Sequence, residues 1–308
     1  MVPITTPNPT GCGQTVSRGT ALEGAILMNC FQLIKSVLDE LYAVIPGKEQ
    51  AKDDAIRKRL ELFTNKQYPN LRKGVEIDYK DAVSRFAYIY RYTTSHANIV
   101  CSLIRGDDTL RALFKQSSLT VACIGGGPGS DFVGILKYLD NCKNKPHVKC
   151  HLIDREKSWN NCWSDVDSKL DPAGYRLSTH FVPIDVTDAK SYDPLEDKYL
   201  KADLFTFVYF MSELYARRDK AQPYFENLFA RVKPGATIFY VDNGASEFTE
   251  WFDGFVDKKR FELDGPDSTN CQMPSDEEKT DLGEYLAKFG PVKLSANIAY
   301  RIAVRRKK

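Results

Sequence analysis

Between residues 20 and 116 apolar positions recur at spacings of three and four, and from residue 119 onward they gather into short unbroken runs. The first regime predicts helices. ALEGAILMNCFQLIKSVLDELYAVI and, more weakly, AKDDAIRKRLELFT carry the stripe; KDAVSRFAYIYRYTTSHANIVCSLI carries it with many aromatics, and DDTLRALFKQ follows. The second regime predicts buried strands in LTVACI (119–124), VKCHLID (148–154), RLSTHFVPIDV (176–186), DLFTFVYF (203–210) and ATIFYVD (236–242), each followed by a helical stretch. A helix in EEKTDLGEYLAKFG and a strand in IAYRIAVRR close the chain. Five alternations of strand and helix predict an α/β, doubly wound parallel sheet with helices on both faces. The expected organisation is a disordered tail over 1–18, an all-helical cap over 19–118 and the α/β domain over 119–308.

Composition narrows the partners. A formal net charge of +2 over 308 residues gives no broad electrostatic footprint for nucleic acid. The basic end RIAVRRKK is the one local patch, read as a solvated tail or as a grip on phosphates. MVPITTPNPTGCGQ lacks a basic start and an apolar core, so no secretory signal is expected. No apolar run reaches the roughly 18 residues of a membrane span. Eight scattered cysteines fit reduced thiols, hence a cytoplasmic or nuclear protein. Cys142, Cys150, His151 and Cys162 match no common zinc spacing, and no metal is expected.

CIGGGPGSDF (123–132) sits between the first strand and its helix. A chain sheds that much side chain where backbone must approach something closely. Counting from Gly125, a dinucleotide fingerprint G-x-G-x-x-G would need glycine where Ser130 stands. The actual spacing, G-x-G-x-G with Pro128 inside it, resembles motif I of the class I S-adenosylmethionine (SAM) methyltransferases. The Lys233-Pro234-Gly235 turn before the fifth strand agrees with that family. The resemblance covers roughly residues 119–305 and implies a Rossmann-like seven-stranded methyltransferase sheet with SAM as cofactor. It implies a glycine loop of Gly125, Gly126, Gly127 and Gly129 passing under the cofactor. It also implies Asp154, with Arg155 beside it, at the ribose hydroxyls, Asp185 and Val186 at the adenine, and Phe210 on the pocket wall. Where the family usually has an acid two places before the first glycine this chain has Cys123, and Asp131 is the substitute candidate. Asp154 and Asp185 also suit helix or loop capping, which does not exclude ligand binding.

Methyl transfer from a sulfonium needs positioning, exclusion of water and sometimes removal of the acceptor's proton. Candidates stand at the ends of the fourth and fifth strands: Glu213 or Asp242 as base or amine holder, and Tyr209 as a wall of the acceptor pocket. A blander reading has Ser212 and Glu213 merely starting a helix. No histidine falls near these strand ends in sequence, which argues against a His-based oxygen methyltransferase. Phe86, Tyr88, Tyr90 and Tyr92 fall at even spacing and should spread around their helix as packing; Trp159 and Trp163 share one helix face. Three readings of the partner stay open. The acceptor is a small amine or hydroxyl compound under a helical lid. Or it is an RNA base, gripped by the helical front and the basic C-terminus; GGGPGSD and DREKSW resemble eukaryotic methyltransferases that include ribosomal-RNA uridine enzymes, which would imply a nucleolar location. Or the protein is a non-catalytic SAM-binding or scaffold subunit, as Cys123 would allow.

Overall fold

The computed structural model describes residues 30–307 apart from 74, 141, 143–144, 164–176, 273–280 and 294. The expected tail, the first residues of the first helix and part of the helix after Asp154 lie outside the described residues. The helical front comprises α1 (Cys30–Val44), α2 (Glu49–Leu62), α3 (Ala82–Tyr88), α4 (Thr94–Gly106) and α5 (Asp108–Leu113). Asp81 caps α3 by accepting the Ser84 N–H, and Asp107 caps α5 by accepting the Leu110 N–H.

Five parallel strands follow: β1 (Ser118–Ile124), β2 (His147–Asp154), β3 (Leu177–Pro183), β4 (Leu204–Val208) and β5 (Thr237–Asn243). Among them lie helices α6 (Ser130–Asp140), α7 (Asn160–Trp163), α8 (Ala189–Tyr192), α9 (Phe210–Leu214) and α10 (Arg218–Arg231). After α11 (Ser246–Asp253) come β6 (Phe261–Asp264), β7 (Thr269–Gln272), α12 (Gly283–Phe289) and β8 (Ser295–Arg305). The strand order is β3-β2-β1-β4-β5-β8-β6, with β7 also paired to β8. β8 runs antiparallel to β5, β6 and β7. Among the described residues the sheet therefore has eight strands rather than the seven expected. β6 and β7 escaped notice because FELD and TNCQ are short and largely polar, and pair only with the long β8.

The order reverses between β1 and β4, and in such sheets ligands bind beyond the carboxyl ends of the strands at that point. Two apolar clusters fill the two faces. On one, Phe205, Phe207, Ile238 and Tyr240 pack against Phe225 of α10 and Phe252 of α11. On the other, Val121 and Phe239 join Phe132 and Leu136 of α6 in a cluster that runs on into Ile34, Val37, Ile99 and Val100 of the front. The cap thus shares a core with the sheet. At the α4–α6 crossing, a Cβ on Gly134 would stand 2.6 Å from Val100 Cβ and 2.8 Å from the Ala97 carbonyl oxygen, so the contact is backbone-close.

The α3–α4 helix carries a π-helical turn, Ile89–Thr93, in the middle. Its aromatics form two opposed pairs. Phe86 and Tyr90 stack at 6.2 Å and meet Phe289 of α12, while Tyr88 and Tyr92 turn toward Trp159, Tyr68 and His96. Among the described residues no helix is long and apolar enough to cross a membrane.

Candidate functional site

A cavity of about 520 Å³ opens at the carboxyl ends of β1, β2 and β4, within the range that encloses a drug-sized ligand. Its floor is Gly125 and Pro128 of the glycine loop, its walls include Asp154, Arg155, Asp185, Val186, Tyr209, Phe210 and Glu213, and residues 75–80 of the cap cross over it. Of the residues singled out from sequence, these loop and strand-end groups are brought together as expected of neighbours on adjacent strands.

The glycines are explained first by the protein's own side chains. Gly125 has φ 71°, and a Cβ there would lie 2.0 Å from Phe210 Cδ2. A Cβ on Gly127 would lie 2.3 Å from Trp159 Cδ1 and 2.7 Å from Asp154 Oδ2. The Trp163 indole N–H donates to the Gly127 carbonyl at 2.9 Å. The loop is therefore pressed between Phe210 and the two tryptophans, which do pack as their i, i+4 spacing implied. Gly126 and Gly129 complete the turn away from the cavity lining, where side chains at those positions would strike Cys123 and Trp163.

Asp154 accepts the Glu156 N–H on Oδ1 at 2.8 Å and the Gly127 N–H on Oδ2 at 3.3 Å. Burial nonetheless pushes its carboxyl up to about 6. Asp185 uses Oδ1 for the Thr187 N–H and hydroxyl. Burial works against its charge, but the Thr187 bonds and then the Arg217 and Arg155 guanidiniums hold it below the ordinary range. Glu76 of the overlying cap segment pairs with Arg217 at 3.3 Å and with Arg155 at 3.7 Å.

Glu213, in the last turn of α9, faces the cavity with Oε1 accepting from Tyr68 and Tyr79. Burial pushes it up to about 8. Asp242 is fully buried and absent from the lining; its oxygens take the N–H groups of Ser212 and Asn243 at 2.9 and 2.8 Å. It anchors the turn that carries Glu213 rather than facing the cavity. Asp131 likewise points inward, accepting the Thr206 hydroxyl and the Phe132 N–H, and Cys123 is fully buried. Neither meets the cavity lining.

Tyr209 has φ 55°, a left-handed backbone that no other non-glycine residue adopts among the described residues. Its ring lies 3.7 Å from that of His96, with planes 7° apart. The expectation that no histidine approaches these strand ends is thereby overturned: α4 delivers His96 to the end of β4 across the fold. Burial, then Lys293, holds that imidazole well below its ordinary range, so it is neutral. The basic C-terminus is displaced the other way. Val304 pairs with Thr237 at the start of β5, roughly 20 Å of strand from the cavity end, and Arg306 is paired with Glu262.

Four raised carboxyls, the buried Asp131 among them, make stability pH-dependent. Asp154 and Asp242 (about 6) and Glu213 (about 8) bind protons in the folded chain that an unfolded chain releases near pH 4. Their contribution is complete below about pH 4 and is lost as pH rises through 6 and then 8. Above about pH 7, where the buried imidazoles of His96 and His151 no longer oppose the trend, the melting temperature is expected to fall toward pH 9, and Glu213→Gln to remove most of that fall. A curve flat or rising over that window would contradict these raised values.

The lining carries six carboxyl side chains (Glu76, Asp78, Asp154, Glu156, Asp185, Glu213) against four cations (Lys80, Arg155, Lys157, Arg217). With Glu213 protonated at neutral pH the lining keeps a slight excess of negative charge, which suits a ligand of net positive charge such as SAM with its sulfonium. No curated protein matches the sequence. Solved structures of similar fold include an O-methyltransferase family protein from Burkholderia thailandensis (13% identity, 83% of this chain and 72% of that one, TM-score 0.42). They also include precorrin-6y C5,15-methyltransferase from Geobacter metallireducens (12%, 68% and 87%, TM-score 0.39). A third is an O-methyltransferase family 2 protein from Planctomyces limnophilus (12%, 90% and 95%, TM-score 0.37). Scores this low carry no argument about activity. The sequence profile of the family described as "Putative SAM-dependent methyltransferase" matches residues 74–263, beginning inside the helical front and ending in β6. Because that match spans well over half of the 308 residues, the chain belongs to this family of SAM-dependent methyltransferases.

Proposed function

We propose that the protein methylates a nitrogen or oxygen of a small molecule or an RNA base, with Glu213 taking the proton that the acceptor loses. One observation carries this reading: a carboxyl raised to about 8 stands on the cavity wall at the end of β4, where a general base near neutrality works best. SAM, when bound, supplies the methyl group, its C–S bond breaking with the electron pair going to sulfur. The residues that would hold it are Asp154 for the ribose hydroxyls, Asp185 for the adenine amino group, and Gly125, Val186 and Phe210 as walls, with Arg155 at the rim. Gly126, Gly127 and Gly129 shape the loop, and Asp131 supports it from beneath. Tyr209 lines the acceptor side, and Asp242 holds α9 in place. A second reading, a SAM-binding subunit without turnover, draws on the inward orientation of Asp131 beside Cys123.

Calorimetry tests the cofactor assignments. SAM and its demethylated product should bind and NAD should not. Asp154→Ala should weaken SAM by about 1–3 kcal/mol, since a charged acceptor of ribose hydroxyls is lost. NAD binding without SAM binding would overturn the pocket's reading, and an unchanged dissociation constant in the variant would reduce Asp154 to a loop cap. Methyl transfer into RNA or metabolite fractions would remove the subunit reading.

A further inference from the structure

Glu213 is held at one oxygen by two phenols. Oε1 accepts from the Tyr68 hydroxyl at 3.3 Å and from the Tyr79 hydroxyl at 3.2 Å, and the two hydroxyl oxygens are 3.0 Å apart. Oε2 accepts no hydrogen bond from the described residues. Both tyrosines belong to the front, 145 and 134 positions from Glu213 in the chain. Ring packing holds them. Tyr68 meets Phe63 edge-on at 5.7 Å and Tyr92 at 4.6 Å, while Tyr79 meets Tyr88 and Trp159 each at 5.3 Å. Their hydroxyls meet Oε1 and each other, and a phenylalanine would keep the packing while removing the bond.

We propose that Tyr68 and Tyr79 are positioning residues that clamp Glu213 through Oε1, leaving Oε2 to take the acceptor's proton, so that the acceptor is an N–H or O–H acid rather than a nucleophile with nothing to lose, such as a thioether or tertiary amine. This rests on the reading of Glu213 as proton acceptor. As the methyl–sulfur bond breaks and the new methyl–nitrogen or methyl–oxygen bond forms, the N–H or O–H electron pair stays on the acceptor atom. The proton goes to Oε2, and the neutral carboxyl later returns it to water. A clamp at Oε1 costs that step nothing, because Oε1 only receives hydrogen bonds throughout. It also strengthens the base's ionised form, since two donors to a carboxylate oppose the burial that disfavours its charge.

The test is a carbon-13 NMR titration of carboxyl-labelled glutamate in the full chain, with Glu213→Gln identifying the resonance. Tyr68→Phe and Tyr79→Phe should each raise the Glu213 midpoint by about one pH unit, and the double variant by more. Binding of S-adenosylhomocysteine by calorimetry should stay within about twofold. An unmoved midpoint in the folded double variant would overturn the clamp. Should the double variant fail to fold, 3-fluorotyrosine at position 79 keeps the shape and donates more strongly; it should lower the midpoint, and no movement would overturn the clamp equally. If Glu213→Gln left methyl transfer intact, the reading of Glu213 as proton acceptor would fall, while the titration would still report on the clamp.

Discussion

A fragment comprising residues 119–308 is expected to be insoluble or molten and unable to bind SAM. The reason is packing. Five buried residues of α6 — Phe132, Val133, Ile135, Leu136 and Leu139 — belong to the same apolar cluster as Leu33, Ile34, Val37 and Val100 of the front. Fully burying a side chain of this kind contributes about 1.5–3 kcal/mol. Half-exposing these five would cost about 4–8 kcal/mol, comparable with the whole stability of an ordinary domain, about 5–15 kcal/mol. The loss reaches further, because α12 packs on the front as well. Tyr90 donates to the Tyr285 carbonyl, Arg57 donates to the Lys288 carbonyl, and Lys288 pairs with Glu49 at 2.6 Å. Removing the front also removes residues 75–80 from the cavity and Tyr68 and Tyr79 from Glu213. Size-exclusion chromatography, near-ultraviolet circular dichroism and SAM calorimetry on the fragment measure all of this. A monomer that melts cooperatively and binds SAM as the full chain does would show that the front is an independent module.

Glu213→Gln is the point change expected to cost most in turnover. The amide keeps the side chain's shape and an oxygen for the two tyrosines, and it cannot take a proton. Removing a general base typically costs 10²- to 10⁴-fold. Transfer of labelled methyl from SAM should fall by about that factor while binding of S-adenosylhomocysteine changes by less than about threefold. In the parent protein the rate should rise with pH toward a plateau above about 8, because the base must be ionised and burial holds its proton up to that pH. The residual rate of the variant should lose that rise. A variant with full turnover and an unchanged pH profile would leave Glu213 as a wall residue only.

The fold and the proposed cofactor half of the site are largely local in their causes. Period and run length placed β1 to β5 and their helices. The central strands, buried on both faces, read as nearly unbroken apolar runs, while the edge strand β3 is only partly buried and mixes in polar residues. The glycine loop, Asp154 and Asp185 each end such a run, so their arrival at one rim follows once the strands lie side by side. The same buried runs conceal which way a strand-end side chain turns. Asp242 reads as eligible as Glu213 for the base, and Asp131 as the acid near the cofactor, until the structure shows Thr206, Ser212 and Asn243 occupying their oxygens. The proposed acceptor half depends on contacts the sequence does not record. His96 reaches Tyr209, and Tyr68 and Tyr79 reach Glu213, because α4 lies flat on α6 at Gly134 and carries the front over the carboxyl ends of the strands. Periodicity reports whether a helix has a buried face; it does not say what that face will be buried against. That was decided by tertiary packing alone, through the α4–α6 contact and the pairs it brings together from more than a hundred residues apart.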